Sequence, residues 1–86
     1  MTSKNRLIET YILTRGENTG EKSSNLYVNN YGELVNYNTV IAYFTGNVLY
    51  INTKYYSHTT SRNQNLLKHY AEKHQNGLDL TIKEYC

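Results

Sequence analysis

The chain has 86 residues and a formal net charge of +2, from nine Lys and Arg against seven Asp and Glu. This length allows one small domain, and the charge is too low for a nonspecific polyelectrolyte binder of nucleic acid. No apolar run reaches membrane-spanning length, residues 1–5 are not followed by a signal-peptide core, and the single Cys86 excludes an internal disulfide. We therefore expect a single domain over residues 1–86 that makes no membrane contact and works in a reducing cytoplasm.

The apolar content is dominated by ten tyrosines, against one phenylalanine and no tryptophan. A tyrosine ring buries a large area while its hydroxyl stays hydrated or hydrogen-bonded. The core is therefore expected to be one layer of contacts between a sheet and one or two helices. Such a core has marginal stability, which association into a homodimer would raise.

The first predicted element covers residues 3–15. Its apolar residues follow a helical spacing and would share one helix face: Leu7, Ile8, Tyr11 and Ile12. Ser3 can cap this helix, but the β-branched residues of the segment favour a strand. We prefer the helix and keep the strand as the alternative. Residues 16–24 are polar and aperiodic between glycines, which predicts a mobile surface loop.

Two β-hairpins are predicted next, because alternating apolar residues flank short turn sequences. The first covers residues 25–37 with its turn at 30–32, and the second covers residues 39–53 with its turn at 45–47.

A main helix is predicted from about Ser61 to Asn76, because Ser61 and Gln64 fit a capping box and Gly77 fits a left-handed helix stop. Its predicted buried stripe has a helical spacing, with Asn63 and His74 at the margins: Leu66, Leu67, Tyr70 and Ala71.

A terminal strand is predicted after the main helix, because apolar and polar residues alternate from Leu78 through Leu80 to Ile82. The predicted fold class is therefore α+β. In it, a small, mainly antiparallel sheet of two hairpins and a C-terminal strand packs on one main helix, with a second helix at the N-terminus.

The best candidate for function is a set of basic and aromatic residues where the second hairpin leads into the main helix: Lys54, Tyr55, Tyr56, His58, Arg62, His69 and Lys73. Cationic groups match phosphate oxygens, and tyrosines can stack on unpaired bases. Asn and Thr side chains nearby can bind base edges or a 2′-hydroxyl. This pattern indicates contact with RNA, although a solvated basic helix face is the simpler interpretation.

Catalytic interpretations are weaker. His58 and His69 could act as acid and base in a metal-independent ribonuclease, but nothing in their spacing enforces that geometry. His69 and His74 lie about 140° apart around a helix and cannot share one metal ion. The hydroxyl run at residues 57–61 is typical of helix capping. We expect no cofactor, no metal and no catalytic residues.

Residues 36–67 resemble a family of small, uncharacterised viral proteins. The shared pattern is N-Y-x-T-x-I-A-Y, then a turn, then Y-I-N-x-x-x-Y-S-x-T-T-S-[RK], which here covers residues 36–43 and 50–62. The resemblance implies a phage protein with a hairpin-plus-helix fold that acts in the cytoplasm of an infected bacterial host. The implied role is that of an accessory protein acting on host machinery. Small phage proteins commonly block host defences, and this analogy, combined with the basic and aromatic residues above, favours noncatalytic binding of RNA or a host RNA–protein complex that inhibits a defence system such as CRISPR. The alternatives are a protein–protein inhibitor of a host enzyme without nucleic acid and a small metal-independent ribonuclease.

Overall fold

The structure, a computed structural model, describes residues 3–86, which form two helices and one six-stranded sheet. The elements in chain order are α1 (Lys4–Leu13), β1 (Lys22–Ser23), β2 (Leu26–Val28), β3 (Leu34–Asn36), β4 (Thr39–Thr45), β5 (Val48–Asn52), α2 (His58–Leu78) and β6 (Thr81–Tyr85). The strands follow one another in the sheet in sequence order. All neighbours are antiparallel except β5 and β6, which are parallel because α2 crosses over between them. The predicted α+β class is confirmed.

The N-terminal segment is a helix, as preferred over the strand. Ser3 is extended and its hydroxyl accepts a hydrogen bond from the backbone N–H of Arg6 at 3.2 Å, so it caps the first turn. The four predicted apolar residues are fully buried. Only a helix places all four on one side, because in a strand adjacent residues point to opposite faces.

The polar segment at residues 16–24 is a loop only in part. Within it, Lys22–Ser23 pairs with β2, and Ser23 is buried. The backbone N–H of Gly20 donates to Val28 O at 2.9 Å, and that of Val28 donates to Glu21 O at 3.0 Å. A two-residue strand has no detectable periodicity, which is why the composition alone predicts a loop throughout.

Both predicted hairpins are present, and their register places apolar side chains toward the helices. A β-bulge between Leu34 and Val35 lets Leu34 pair with Ala42 while Val35 pairs with Val40. The bulge adds one residue to β4, so both Ile41 and Ala42 are fully buried.

The main helix begins at His58, and its predicted capping box is wrong. The cap is Ser57, whose hydroxyl accepts from the backbone N–H of Thr60 at 3.2 Å. The Gln64 side chain does not reach back to the helix start; it donates to Asn52 O at 2.6 Å. Every hydroxyl residue in the run at 57–61 can cap a helix by residue type, and the contacts with the sheet decide which one does.

The predicted helix stop is also wrong, because Gly77 lies inside α2 and the helix ends after Leu78. Asp79 takes the left-handed conformation, with φ 55° and ψ 45°, and its N–H donates to Asn76 O. Aspartate tolerates this conformation better than most residues. The strand predicted from Leu78 onward therefore begins at Thr81, while Leu80 is buried at the junction.

The core lies between the two helices and one face of the sheet. α2 contributes Leu67 and Ala71, as predicted, but Leu66 and Tyr70 are only half-buried. Both still pack against the core, and three polar residues of the same helix are also buried: Thr60, Asn63 and Gln64. Sequence hydropathy cannot detect the burial of Thr60 and Gln64, because it depends on their hydrogen bonds to Asn36 and Asn52 of the sheet.

Candidate nucleic-acid interface

Four of the predicted site residues form a row on the outward side of α2. His58, Arg62, His69 and Lys73 are separated by four, seven and four residues, which places them on one side of a helix. All four are exposed. His58 belongs to the first turn of this helix rather than to the segment before it. The row runs from the helix start to its last third.

Lys73 is partly neutralised by a carboxylate of α1. Its Nζ lies 3.6 Å from Glu9 Oε2, and Nε2 of His74 lies 2.6 Å from the same oxygen. The hydrogen bond from His74, helped by the charge of Lys73, lowers the pKa of Glu9 and keeps the carboxylate ionised. The uncompensated cationic part of the row is therefore its N-terminal part, around Arg62.

The connection between β5 and α2 contains two tyrosines, of which Tyr55 is the more exposed and Tyr56 is held by a hydrogen bond. The Tyr56 hydroxyl accepts from Asn52 Nδ2 at 3.0 Å, and Lys54 Nζ lies 5.6 Å from the Tyr56 ring centre. Tyr55 is 63% exposed, and its ring packs edge-on against His58 at 6.3 Å. Tyr55 is therefore the ring that is available to stack on a base.

A buried hydrogen-bond network fixes this connection to the sheet. The Thr60 hydroxyl donates to Asn36 Oδ1 at 2.7 Å, and the Ser57 hydroxyl donates to Thr60 Oγ1 at 3.2 Å. Asn52 Nδ2 also donates to Val40 O at 3.1 Å. Most polar residues of the viral-protein pattern thus have structural roles, and Arg62 is its charged, exposed member.

Two shallow depressions adjoin at the start of α2. The first is lined by His58, Thr59, Ser61, Arg62 and Asn65. The second is lined by Asn52, Thr53, Tyr55, Ser61, Gln64, Asn65 and Lys68. They share Ser61 and Asn65, and neither lining contains a carboxylate. The combined surface, which we call the α2 start surface, offers cations, amides, hydroxyls and one exposed ring.

Sequence reasoning missed several residues of this surface, among them Ser61 and Lys68. Together with Asn65 they form a second row at intervals of four and three residues, beside the row of Arg62. The helical spacing indicates this row, but the residue type of Ser61 favours a role in helix capping. Lys68 Nζ also pairs with Glu84 at 2.8 Å, which holds the side chain toward β6.

Other tyrosines line the face of the sheet that the helices leave open. Tyr43 and Tyr50 are cross-strand partners, with ring centres 4.8 Å apart and nearly parallel planes. Tyr85 packs against Tyr43 at 5.6 Å, and burial raises the pKa of the Tyr85 hydroxyl. Tyr43 and Tyr50 therefore form a cross-strand aromatic pair, and these rings stabilise each other.

The described residues show neither a metal site nor a membrane span. Across residues 3–86, no three His, Cys, Asp or Glu side chains are grouped to hold a metal ion. No helix in the same range has the length and apolarity needed to cross a membrane.

Comparison with known proteins places the chain in a family. The model of a family of unknown function, DUF8033, matches residues 14–81, which include both hairpins and α2. The chain belongs to this family. No curated protein and no solved structure shows significant similarity to it. The family match covers the whole α2 start surface.

Proposed function

We propose that this protein is a noncatalytic phage accessory protein that binds single-stranded RNA, free or in a host RNA–protein complex, through the α2 start surface. The observation that carries the proposal is the absence of carboxylates from a surface that contains Arg62, His58 and the exposed ring of Tyr55. Cations bind phosphates, and an exposed ring stacks on an unpaired base. Lys54 and His69 extend this surface at either side.

Backbone groups at the helix start add to the attraction for phosphate. Ser57 satisfies the N–H of Thr60, whereas the N–H groups of His58 and Thr59 have no acceptor within the helix. The positive end of the helix dipole lies at the same place as Arg62. Both effects support an anionic ligand, and the low net charge of the chain requires that binding be this local.

The geometry disfavours a ribonuclease that uses His58 and His69. Both lie on α2, eleven residues apart, which is a rise of about 16 Å along the helix. A general acid and a general base must both reach one scissile phosphate within hydrogen-bond distance. Binding without cleavage therefore fits this surface better. The biological setting, inhibition of a bacterial defence system such as CRISPR in the host cytoplasm, is supported by the resemblance of residues 36–67 to viral proteins.

The proposal is tested by measuring the affinity for a fluorescently labelled single-stranded RNA at several salt concentrations. We expect Arg62→Glu to weaken binding and to reduce the salt slope by about 0.7, the value for one phosphate contact on a single strand. Tyr55→Ala should weaken binding by about 1–3 kcal/mol and leave the salt slope unchanged, because stacking releases no counterion.

Arg15→Glu is the matched control, since it changes the net charge by the same amount. Arg15 donates to Leu78 O, which lies about 24 Å from Arg62 along α2. Its substitution should leave RNA binding nearly unchanged. Equal loss in Arg15→Glu and Arg62→Glu, or no salt-dependent binding by the wild type, would refute the proposal.

A further inference from the structure

The outer edge of β6 has free backbone hydrogen-bonding groups. The sheet ends with β6, and nothing within residues 3–86 pairs with its outer side. Thr81 N–H donates to Asn47 O at 2.9 Å, and Thr53 N–H donates to Tyr85 O at 2.7 Å, so these ends of β6 face β5. Because bonding alternates along a parallel strand, Lys83 also faces β5. Ile82 and Glu84 therefore direct their N–H and C=O groups outward.

A groove between α2 and β6 runs beside this edge. It has a volume of about 160 Å³ and is lined by Lys68, Glu72, Gln75, Ile82 and Glu84. Ile82 is half-buried and supplies the apolar surface. An extended segment added to β6 would direct every second side chain into this groove. Main-chain bonds at an edge, with an adjacent pocket for alternate side chains, are the requirements for recognition of a peptide strand.

The charges of the groove determine which charged side chains an added segment needs. Lys68 is paired with Glu84, whereas Glu72 has no ion-pair partner within residues 3–86, which leaves one net negative charge in the groove. On the opposite face of β6, Lys83 is exposed and likewise unpaired in that range. A complementary strand therefore has a basic side chain opposite Glu84, an acidic one opposite Lys83 and an aliphatic one opposite Ile82.

A second copy of β6 does not meet these requirements. Antiparallel pairing about the centre of β6 would place Lys83 opposite Lys83 of the other copy, and a shift toward the C-terminus would place Glu84 opposite Glu84. A shift toward the N-terminus would need the N–H of Leu80, which already donates to Gln75 O at 3.0 Å. Self-pairing is therefore unfavourable in all three registers.

We propose that the β6 edge and the α2–β6 groove bind an extended segment of a partner protein that carries the sequence basic–acidic–aliphatic and pairs antiparallel with Ile82 and Glu84. This peptide site goes beyond the proposed RNA-binding function and is formed mainly by other residues. It gives the protein a way to hold a protein component of a complex while the α2 start surface holds RNA.

The test is a titration of the full chain, labelled for backbone amide NMR, with a capped peptide whose sequence is threonine–lysine–glutamate–isoleucine–threonine. We expect the largest amide shifts at Ile82 and Glu84, together with slower hydrogen exchange at both. Exchanging lysine and glutamate in the peptide should weaken binding about tenfold, because both charge pairs become repulsive. Methylation of the isoleucine nitrogen should weaken it to a similar extent by removing a main-chain donor.

Three protein variants complete the test. Glu72→Lys should weaken peptide binding, while Glu17→Lys, the same charge change on an exposed loop, should not. Arg62→Glu should leave peptide binding unchanged, so a failure of the peptide site can be distinguished from a failure of the RNA-binding surface. Undiminished binding of the methylated peptide would overturn the proposal. Amide shifts confined to the sheet face that carries Tyr43, Tyr50 and Tyr85 would overturn it as well. A peptide-free dimer that protects the Ile82 and Glu84 amides would overturn it in favour of a second copy.

Discussion

Removal of the Thr60 hydroxyl should destabilise the protein, because this group links α2 to the sheet. Thr60 and Asn36 are 2% and 0% exposed, and the Thr60 hydroxyl donates to Asn36 Oδ1 at 2.7 Å. Thr60→Val keeps the side-chain shape and removes only the hydrogen-bonding capacity. The buried Asn36 oxygen would then lose this donor.

The expected loss follows from the cost of leaving a buried acceptor unsatisfied, about 1–3 kcal/mol. The weaker bond from the Ser57 hydroxyl at 3.2 Å is lost as well. We therefore expect Thr60→Val to lower the free energy of unfolding by about 2 kcal/mol. For a domain of this size, that corresponds to a decrease in Tm of roughly 10 °C.

The assay is urea unfolding followed by circular dichroism, with Thr59→Val as the matched control. Thr59 is the neighbouring helix residue, and its hydroxyl makes no hydrogen bond within residues 3–86. The control should stay within about 0.5 kcal/mol of the wild type. If Thr60→Val were as stable as Thr59→Val, the hydrogen bond from Thr60 to Asn36 would not stabilise the contact of α2 with the sheet, and our account of this network would be refuted.

Two further predictions concern the loop before β1 and the pairing of the helices. Gly16→Ala should destabilise more than Gly20→Ala. Both glycines have positive φ, but a Cβ at Gly16 would lie 2.8 Å from Gly32 O, whereas a Cβ at Gly20 would have no atom of residues 3–86 within 4 Å. The difference in thermal unfolding between the two variants measures the clash alone, and equal loss would contradict it. Glu9→Gln should lower the free energy of unfolding at neutral pH. The hydrogen bond from His74 lowers the pKa of Glu9 below its usual 4.5, so the stabilisation is lost when Glu9 is protonated in acid. The difference in free energy of unfolding between variant and wild type should therefore shrink as the pH falls below 4.5. Urea unfolding across this pH range measures it, and a difference that persists in acid would contradict the assignment.

Local patterns were sufficient for much of the fold. The spacing of Leu7, Ile8, Tyr11 and Ile12 predicts α1, because only a helix places residues i, i+1, i+4 and i+5 on one side. The hairpins follow equally from alternation around short turns, and the row containing Arg62 follows from helical spacing. These predictions need only the side-chain periods of about 3.6 residues for a helix and 2 for a strand.

The start of α2, the state of Lys73 and the open edge of β6 depend on residues distant in sequence. Ser57 rather than Ser61 caps α2, because Thr60 is bonded to Asn36 on β3. Lys73 appears free in the sequence, and only the packing of α1 brings Glu9 within 3.6 Å of it. The sequence by itself thus determined the elements and the polar face of α2. The tertiary structure decided which charges on that face stay uncompensated and which strand edge stays unpaired, because both depend on contacts that no local period encodes.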